Sequence, residues 1–134
     1  LEVCIATGIP FSTYRTQSQK QRPFRCVKIG LNTERSLLYE RINKRVDKMM
    51  KMGLEAEVKA LLPYRHLNAL QTVGYSELFD YFDGKITRDE AVDKIKQNTR
   101  RYAKRQLTWF RKDAETHWTH PNDAFEYVQQ MLLG

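Results

Sequence analysis

The sequence predicts a mostly helical chain with one or two strands, on three observations. Apolar residues recur at helical spacing through much of positions 32–133, between residues that cap or stop helices. One stretch, Phe24 to Gly30 (FRCVKIG), alternates and carries Val and Ile, as a short strand does. One strand cannot make a sheet, so its partners are expected outside this chain. The chain also opens at Leu1 in the middle of an apolar–polar pattern, without an initiator Met. It therefore reads as a piece of a longer protein.

The elements follow in order. Residues 1–23 alternate poorly and hold the turn signal Thr7-Gly8-Ile9-Pro10. From Tyr14 to Pro23 the residues are those of a mobile loop. Asn32 or Thr33 can cap a helix running to about Met52, with Gly53 as its stop. A second helix is expected over Leu54 to Leu62, ended by Pro63. His66 to Val73 reads as a connection with one turn of helix. Gly74 opens a helix from Tyr75 to Phe82, closed by Asp83-Gly84. Thr87 caps the longest helix, to about Arg111, with Glu90 in the capping-box position. Asn122 or Asp123 starts a last helix ending near Leu133.

Composition narrows the function classes. The formal net charge of +7 points to an anionic partner, and its placement says more. Eight basic and no acidic residues lie between Lys94 and Lys112, and five basic and no acidic ones between Arg15 and Lys28. A solvated face would also account for a single run; two runs favour a polyanion. No apolar stretch approaches the roughly 18 residues of a membrane span, and no signal peptide is visible. Cys4 and Cys26 are not spaced as a metal knuckle, and a disulfide is not expected in a chain that reads as cytosolic. His117 and His120 lack the cysteine pairs of a zinc finger and read as surface histidines.

Two helices carry residues out of pattern. At about 100° per residue, the helix from Thr87 puts Ala91, Val92, Ile95, Thr99, Tyr102, Ala103, Gln106, Trp109 and Phe110 on one face. Lys94, Lys96, Arg100, Arg101, Lys104, Arg105, Arg111 and Lys112 fall on the other. Lys94, Arg101, Arg105 and Lys112 project together. Such a helix, roughly 35 Å long, can track several phosphates. Gln106 and Thr99 interrupt the apolar face. A buried amide without partners costs roughly 1–3 kcal/mol, so Gln106 is expected to bond either a neighbouring backbone group or an entering base. In the helix after Thr33, Arg45 falls within the stripe Leu38, Ile42, Val46, Met49 and Met52, with Arg41 on its flank. A buried guanidinium needs an anion, either an internal carboxylate or a bound phosphate. Most aromatics of the second half suit a core; one or two could stack on an unstacked base. The six glycines are scattered, with no GxxxxGK[ST] phosphate loop, and no catalytic triad or paired carboxylates stand out.

Three stretches carry a resemblance. NTRRYAKRQLTWFRKD from Asn98 to Asp113, LQTVGYSEL from Leu70 to Leu78, and LYERINKRVDKMMKMGLEAEV from Leu38 to Val58 occur in order, with LEV and TGIPFS near the start. Together they resemble the tRNA dimethylallyltransferase family over nearly the whole chain. The resemblance implies a C-terminal part of a P-loop-type α/β transferase, with residues 1–31 ending the α/β core and 32–134 forming a helical region with a tRNA-facing basic helix. It implies transfer of a dimethylallyl group from dimethylallyl diphosphate to the exocyclic amine of the adenine 3′ of the anticodon, the base being flipped into a channel. The phosphate loop and catalytic aspartate are then expected elsewhere, along with most ligands of a Mg2+ ion.

The residues matching the family's tRNA contacts are Leu70, Gln71, Thr72, Val73, Gly74 and Tyr75. On the basic helix they are Arg100, Arg101, Lys104, Arg105, Gln106, Thr108, Trp109 and Arg111. Arg45 and Arg41 match arginines near the diphosphate. The implied partners are a tRNA anticodon stem-loop and the prenyl diphosphate, with no membrane, in a cytoplasmic monomer of bacterial or organellar type. The rival reading is a non-catalytic RNA-binding helical module.

Overall fold

A computed structural model describes residues 2–14, 23–24 and 26–133 of the chain. Two short helices open it, α1 (Glu2–Thr7) and α2 (Phe11–Tyr14), separated by the Gly8–Pro10 turn. Neither was expected from a stretch whose residues alternate poorly. Most of the first basic run, and of the loop read from Tyr14 to Pro23, lies outside the described residues.

Strand β1 covers Lys28–Leu31, later than FRCVKIG suggested, and its partner is in this chain. It pairs in parallel with β2 (Thr116–Thr119), in the register Lys28↔Thr116, Ile29↔His117, Gly30↔Trp118 and Leu31↔Thr119. The expectation that all strand partners lie elsewhere is therefore corrected. The sequence THWT is too short to announce a strand by alternation; long-range pairing makes it one. Asn32 N–H continues the ladder to Thr119 O at 2.9 Å. For that reason neither Asn32 nor Thr33 caps the next helix. Helix α3 runs Arg35–Lys51 behind Glu34, which makes no side-chain cap bond. Thr33 Oγ1 is instead buried with no hydrogen-bond partner among the described residues.

Gly53, at φ 102°, turns the chain from α3 into α4 (Leu54–Ala60), a conformation costly for any residue with a Cβ. Two 3-10 turns follow, Leu62–Tyr64 and Asn68–Leu70, the second in the connection where one helical turn was expected. Then come α5 (Ser76–Phe82), α6 (Arg88–Phe110) and α7 (Ala124–Leu133). The expected capping box is present: Thr87 Oγ1 accepts from Glu90 N–H, and Glu90 Oε2 accepts from Thr87 N–H at 2.7 Å.

The core sits among α3, α4, α5 and the first half of α6. Val46, Leu54, Val58, Leu78, Phe79, Ala91 and Ile95 form one buried cluster. Burying a large apolar side chain contributes roughly 1.5–3 kcal/mol, so this cluster fixes the first half of α6 against α3 and α5. At the other end, Lys28 on β1 bonds Asp113 and Glu115, each at 2.8 Å. Those two carboxylates raise the lysine's pKa well above its ordinary value, and Lys28 in turn holds the Asp113 carboxyl below its own.

Gly30 has a steric reason. A Cβ there would lie 2.6 Å from Trp118 Cε3 and 2.9 Å from Thr116 Cγ2. Gly30→Ala must push Trp118 aside, so it is expected to destabilise the protein by about 1–3 kcal/mol. Urea unfolding followed by tryptophan fluorescence measures this. Shrinking the ring with Trp118→Leu in the Gly30→Ala background should recover part of the loss.

Candidate nucleic-acid interface

Two segments form the candidate site, the Leu70–Tyr75 loop and the basic helix α6. The loop is fastened from beneath. Gln71 Nε2 donates to Arg65 O at 2.7 Å. Tyr75 O–H donates to Glu57 on α4, and that carboxylate raises the phenol's pKa. Gly74, at φ 101°, donates its N–H to Glu77 Oε2 at 2.8 Å. Leu70 and Tyr75 pack against the core cluster and Gly74 is buried. Only Gln71, Thr72 and Val73 of the six candidates are exposed, so these three can meet a partner directly.

Beneath the loop lies a residue that sequence reasoning missed. Glu77 is only 6% exposed. Its second oxygen accepts from Asn98 Nδ2 on α6 at 2.7 Å, and Asn98 Oδ1 accepts from Arg101 Nη1 at 3.4 Å. A signal was present: Gly74-x-x-Glu77 repeats the spacing of Thr87-x-x-Glu90, a glutamate reaching back three residues to a backbone N–H. Arg65 and Asp83 were missed as well. They form a bidentate pair at 2.6 and 2.7 Å, with Arg65 over the Phe79 ring.

Helix α6 divides its basic residues between two jobs. Lys96 pairs with Asp47 at 2.6 Å, and Arg100 donates to Asn43 Oδ1 at 2.6 Å beside the Tyr39 ring. Both therefore join α6 to α3; Arg100 is half-buried, with Nη1 engaged within the fold. Lys94, Arg101, Lys104, Arg105, Arg111 and Lys112 are exposed. Arg105 lies over Tyr102 and Arg111 over Trp118, each at 5.8 Å.

The apolar face of α6 also splits. Ala91 and Ile95 are buried, and Thr99 Oγ1 donates back to Ile95 O at 2.7 Å. Beyond Thr99 the face opens: Tyr102, Trp109 and Phe110 are exposed, Trp109 by 68%. Gln106 is exposed too, which corrects its expected burial. Gln106, Trp109 and Phe110 border a cavity of about 810 Å³, with Gly30, Leu38 and Trp118 among the residues opposite. Thr108 is exposed and bonds Lys104 O at 2.9 Å.

Arg45 and Arg41 are both exposed on α3. The inference of a buried Arg45 is corrected: the face of α3 that meets α6 carries Asn43 and Asp47. Two residues turn a helix through about 200°, which sends Arg45 almost to the opposite side from Asn43. No hydrogen bond or ion pair to Arg41 or Arg45 occurs among the described residues.

Among those residues, no three His, Cys, Asp or Glu side chains come together as a possible metal cluster. Cys4 and Cys26 are unpaired, and His117 and His120 are exposed. No described helix is long and apolar enough to cross a membrane.

An exposed row of cations lies along a long helix, beside an ordered loop. The chain belongs to the IPP transferase family, whose model matches residues 1–113. It is 51% identical to tRNA dimethylallyltransferase 1 of Bacteroides thetaiotaomicron over 99% of this chain and 43% of that protein. It is 50% identical to tRNA dimethylallyltransferase 2 of Parabacteroides distasonis over 99% of this chain and 46% of that one. Among solved structures it resembles the full-length tRNA isopentenylpyrophosphate transferase of Bacillus halodurans. The TM-score is 0.76 and the identity 42%, covering 86% of this chain and 40% of that one. The chain thus spans less than half the length of these relatives.

The pair beneath the loop titrates in a definite direction. Arg65 and then Lys85 hold the Asp83 carboxyl far below the usual carboxylate range. A depressed folded-state pKa stabilises the fold above the unfolded value, about 4, and that contribution disappears as pH falls through the folded value. Hydrogen-exchange protection of amides 65–83 is therefore expected to fall as pH drops below about 4. In Asp83→Asn, protection should already be lower at neutral pH and respond less to acid.

Proposed function

We propose that this chain is the tRNA-gripping part of an enzyme that prenylates tRNA. Such an enzyme moves a dimethylallyl group from dimethylallyl diphosphate to the exocyclic amine of the adenine 3′ of the anticodon. The observation that carries the reading is the exposed row Lys94, Arg101 and Arg105 on one side of α6, with Lys112 exposed in the turn just past its end, and the first half of the helix fixed in the core. Family membership supports the choice of reaction; the rival, a helical module without catalytic relatives, gains no support from it. A monomer acting in the cytoplasm fits the same reading.

Phosphates meet the basic row and fix orientation, while the base is recognised elsewhere. Gln71, Thr72 and Val73 lie exposed on the ordered loop. Trp109 offers a ring on which an unstacked base can lie, and Gln106 an amide that can hydrogen-bond it. Counterion release makes such a grip sensitive to salt. Removing one phosphate contact, as in Arg101→Ala, is expected to flatten the log–log salt slope of tRNA binding by roughly one unit. It should weaken cognate and non-cognate tRNA alike. A slope equal to that of wild type would make the basic row a solvated surface only.

In the reaction itself, a C–N bond forms at the amine as the C–O bond to diphosphate breaks. The diphosphate leaves with the electron pair, and the amine gives up a proton. Charge accumulates on the leaving group, where a guanidinium stabilises it. Arg45 and Arg41 are the residues assigned to that task, being exposed arginines with their donors available to an anion. The phosphate loop and the base are to be supplied outside this chain, which holds no GxxxxGK[ST]. In the intact protein, label should pass from dimethylallyl diphosphate to tRNA. Arg45→Ala should raise the KM for the diphosphate while leaving tRNA affinity unchanged. The opposite split would make Arg45 an RNA contact.

A further inference from the structure

We propose that Glu77 is a positioning residue for RNA, whose carboxylate holds the Leu70–Tyr75 loop and Arg101 in a single register. The inference rests on reading that loop and α6 as the tRNA contacts. Glu77 uses both oxygens: Oε2 accepts from Gly74 N–H at 2.8 Å and Oε1 from Asn98 Nδ2 at 2.7 Å. Asn98 then offers Oδ1 to Arg101 Nη1, a long contact at 3.4 Å. The sequence Gly74–Glu77–Asn98–Arg101 is a continuous line of hydrogen bonds from the loop to the exposed basic row.

Donor and acceptor directions make the line informative. An ionised carboxylate only accepts. It therefore compels Asn98 to turn its NH2 inward and its oxygen outward, toward Arg101. A residue that merely filled space and capped α5 would impose no such direction. Glu77 is also nearly out of water, so its bonds have no solvent substitute. Gly74 has the left-handed backbone that lets its N–H face Glu77 (φ 101°), and nothing lies within 4 Å of where its Cβ would stand. Gln71, Thr72 and Val73 are the loop's exposed residues, while its height is set from below.

Glu77→Gln separates positioning from simple support. Glutamine nearly matches the shape and can keep the Gly74 bond through its oxygen. Its NH2 then faces Asn98, which must turn its own oxygen inward and present an NH2 to Arg101, donor against donor. A second change, Asn98→Asp, restores the pattern, because the introduced carboxylate accepts both from the new glutamine amide and from Arg101.

The experiment uses the intact protein and a labelled anticodon stem-loop RNA. Glu77→Gln is expected to melt near wild type yet bind the RNA roughly tenfold more weakly. The KM for tRNA should rise beyond any fall in kcat, and the KM for the prenyl diphosphate should not move. The double variant, Glu77→Gln with Asn98→Asp, should bind almost as wild type does. Should Glu77→Gln melt early, Asn98→Ala serves in its place: it spares the Gly74 bond and should still weaken RNA binding. Unchanged affinity in these single variants, or no recovery in the double variant, overturns the proposal. Arg101→Ala tells the two levels apart. If it weakens binding while the Glu77 and Asn98 variants do not, only the positioning role fails. If it too has no effect, the RNA reading of α6 falls and takes this inference with it.

Discussion

A carboxylate shut away from water must find all its hydrogen bonds inside the protein, and Glu77 finds them on two different elements. One oxygen takes the Gly74 amide at the start of α5 and the other takes the Asn98 side chain on α6. The cost of leaving either oxygen unpaired fixes the distance between loop and helix more tightly than apolar packing alone would. Around this point, Leu78 and Phe79 bury the face of α5, and Ala91 and Ile95 the face of α6. Tyr75 adds a second anchor through Glu57 on α4. The loop thus enters any encounter already ordered, so little conformational entropy remains to be lost on binding.

Helix α6 gains its two characters from where the core stops. Up to Thr99 its apolar face is buried, and Lys96 and Arg100 turn sideways to Asp47 and Asn43 on α3. Beyond that point the helix runs clear of the cluster, and the residues that would have been core, Tyr102, Trp109 and Phe110, are exposed. The same continuous helix therefore transmits the rigidity of its first half to an open second half. Backbone hydrogen bonds along its 23 residues make that possible. A binding surface on such an extension is held in place without being covered.

How much of this was legible in the sequence depended on the range of the interaction. Capping at Thr87 and Glu90, the stop at Gly53 and the closing Asp83-Gly84 are local, and each could be read from a few neighbouring residues. Arg45 misled because helical periodicity reports which residues share a face, not how wide a face the neighbours cover; α3 meets α6 through Asn43 and Asp47, and Arg45 lies beyond that contact. Gln106 misled for the same reason, since an apolar stripe need not be covered along its whole length. Strand β2 was invisible because Thr116–Thr119 becomes a strand only by pairing with residues near the other end of the chain. Glu77 could have been found from its spacing to Gly74, but its bond to Asn98 could not, because that bond is tertiary. The family's motifs brought Leu70–Tyr75 and the basic helix to notice together without indicating that a glutamate joins them.

The parallel pair shows how a weak element can still be specific. Two parallel strands of four residues each are marginal by themselves, and here two side-chain arrangements reinforce them. Lys28 reaches Asp113 and Glu115 in the turn between α6 and β2, so the end of the basic helix is tied to β1. Gly30 lets the Trp118 ring lie directly on the neighbouring backbone, and Arg111 rests over that same ring. The far end of α6 is thereby located by one ion-pair cluster and one stacked tryptophan, just as its near end is located by the apolar cluster. Between these two fixed ends lies the row of cations. Because both ends are anchored, the spacing of Lys94, Arg101 and Arg105 is set by helix geometry and not by the partner, which is the condition under which a phosphate backbone can be gripped in one orientation.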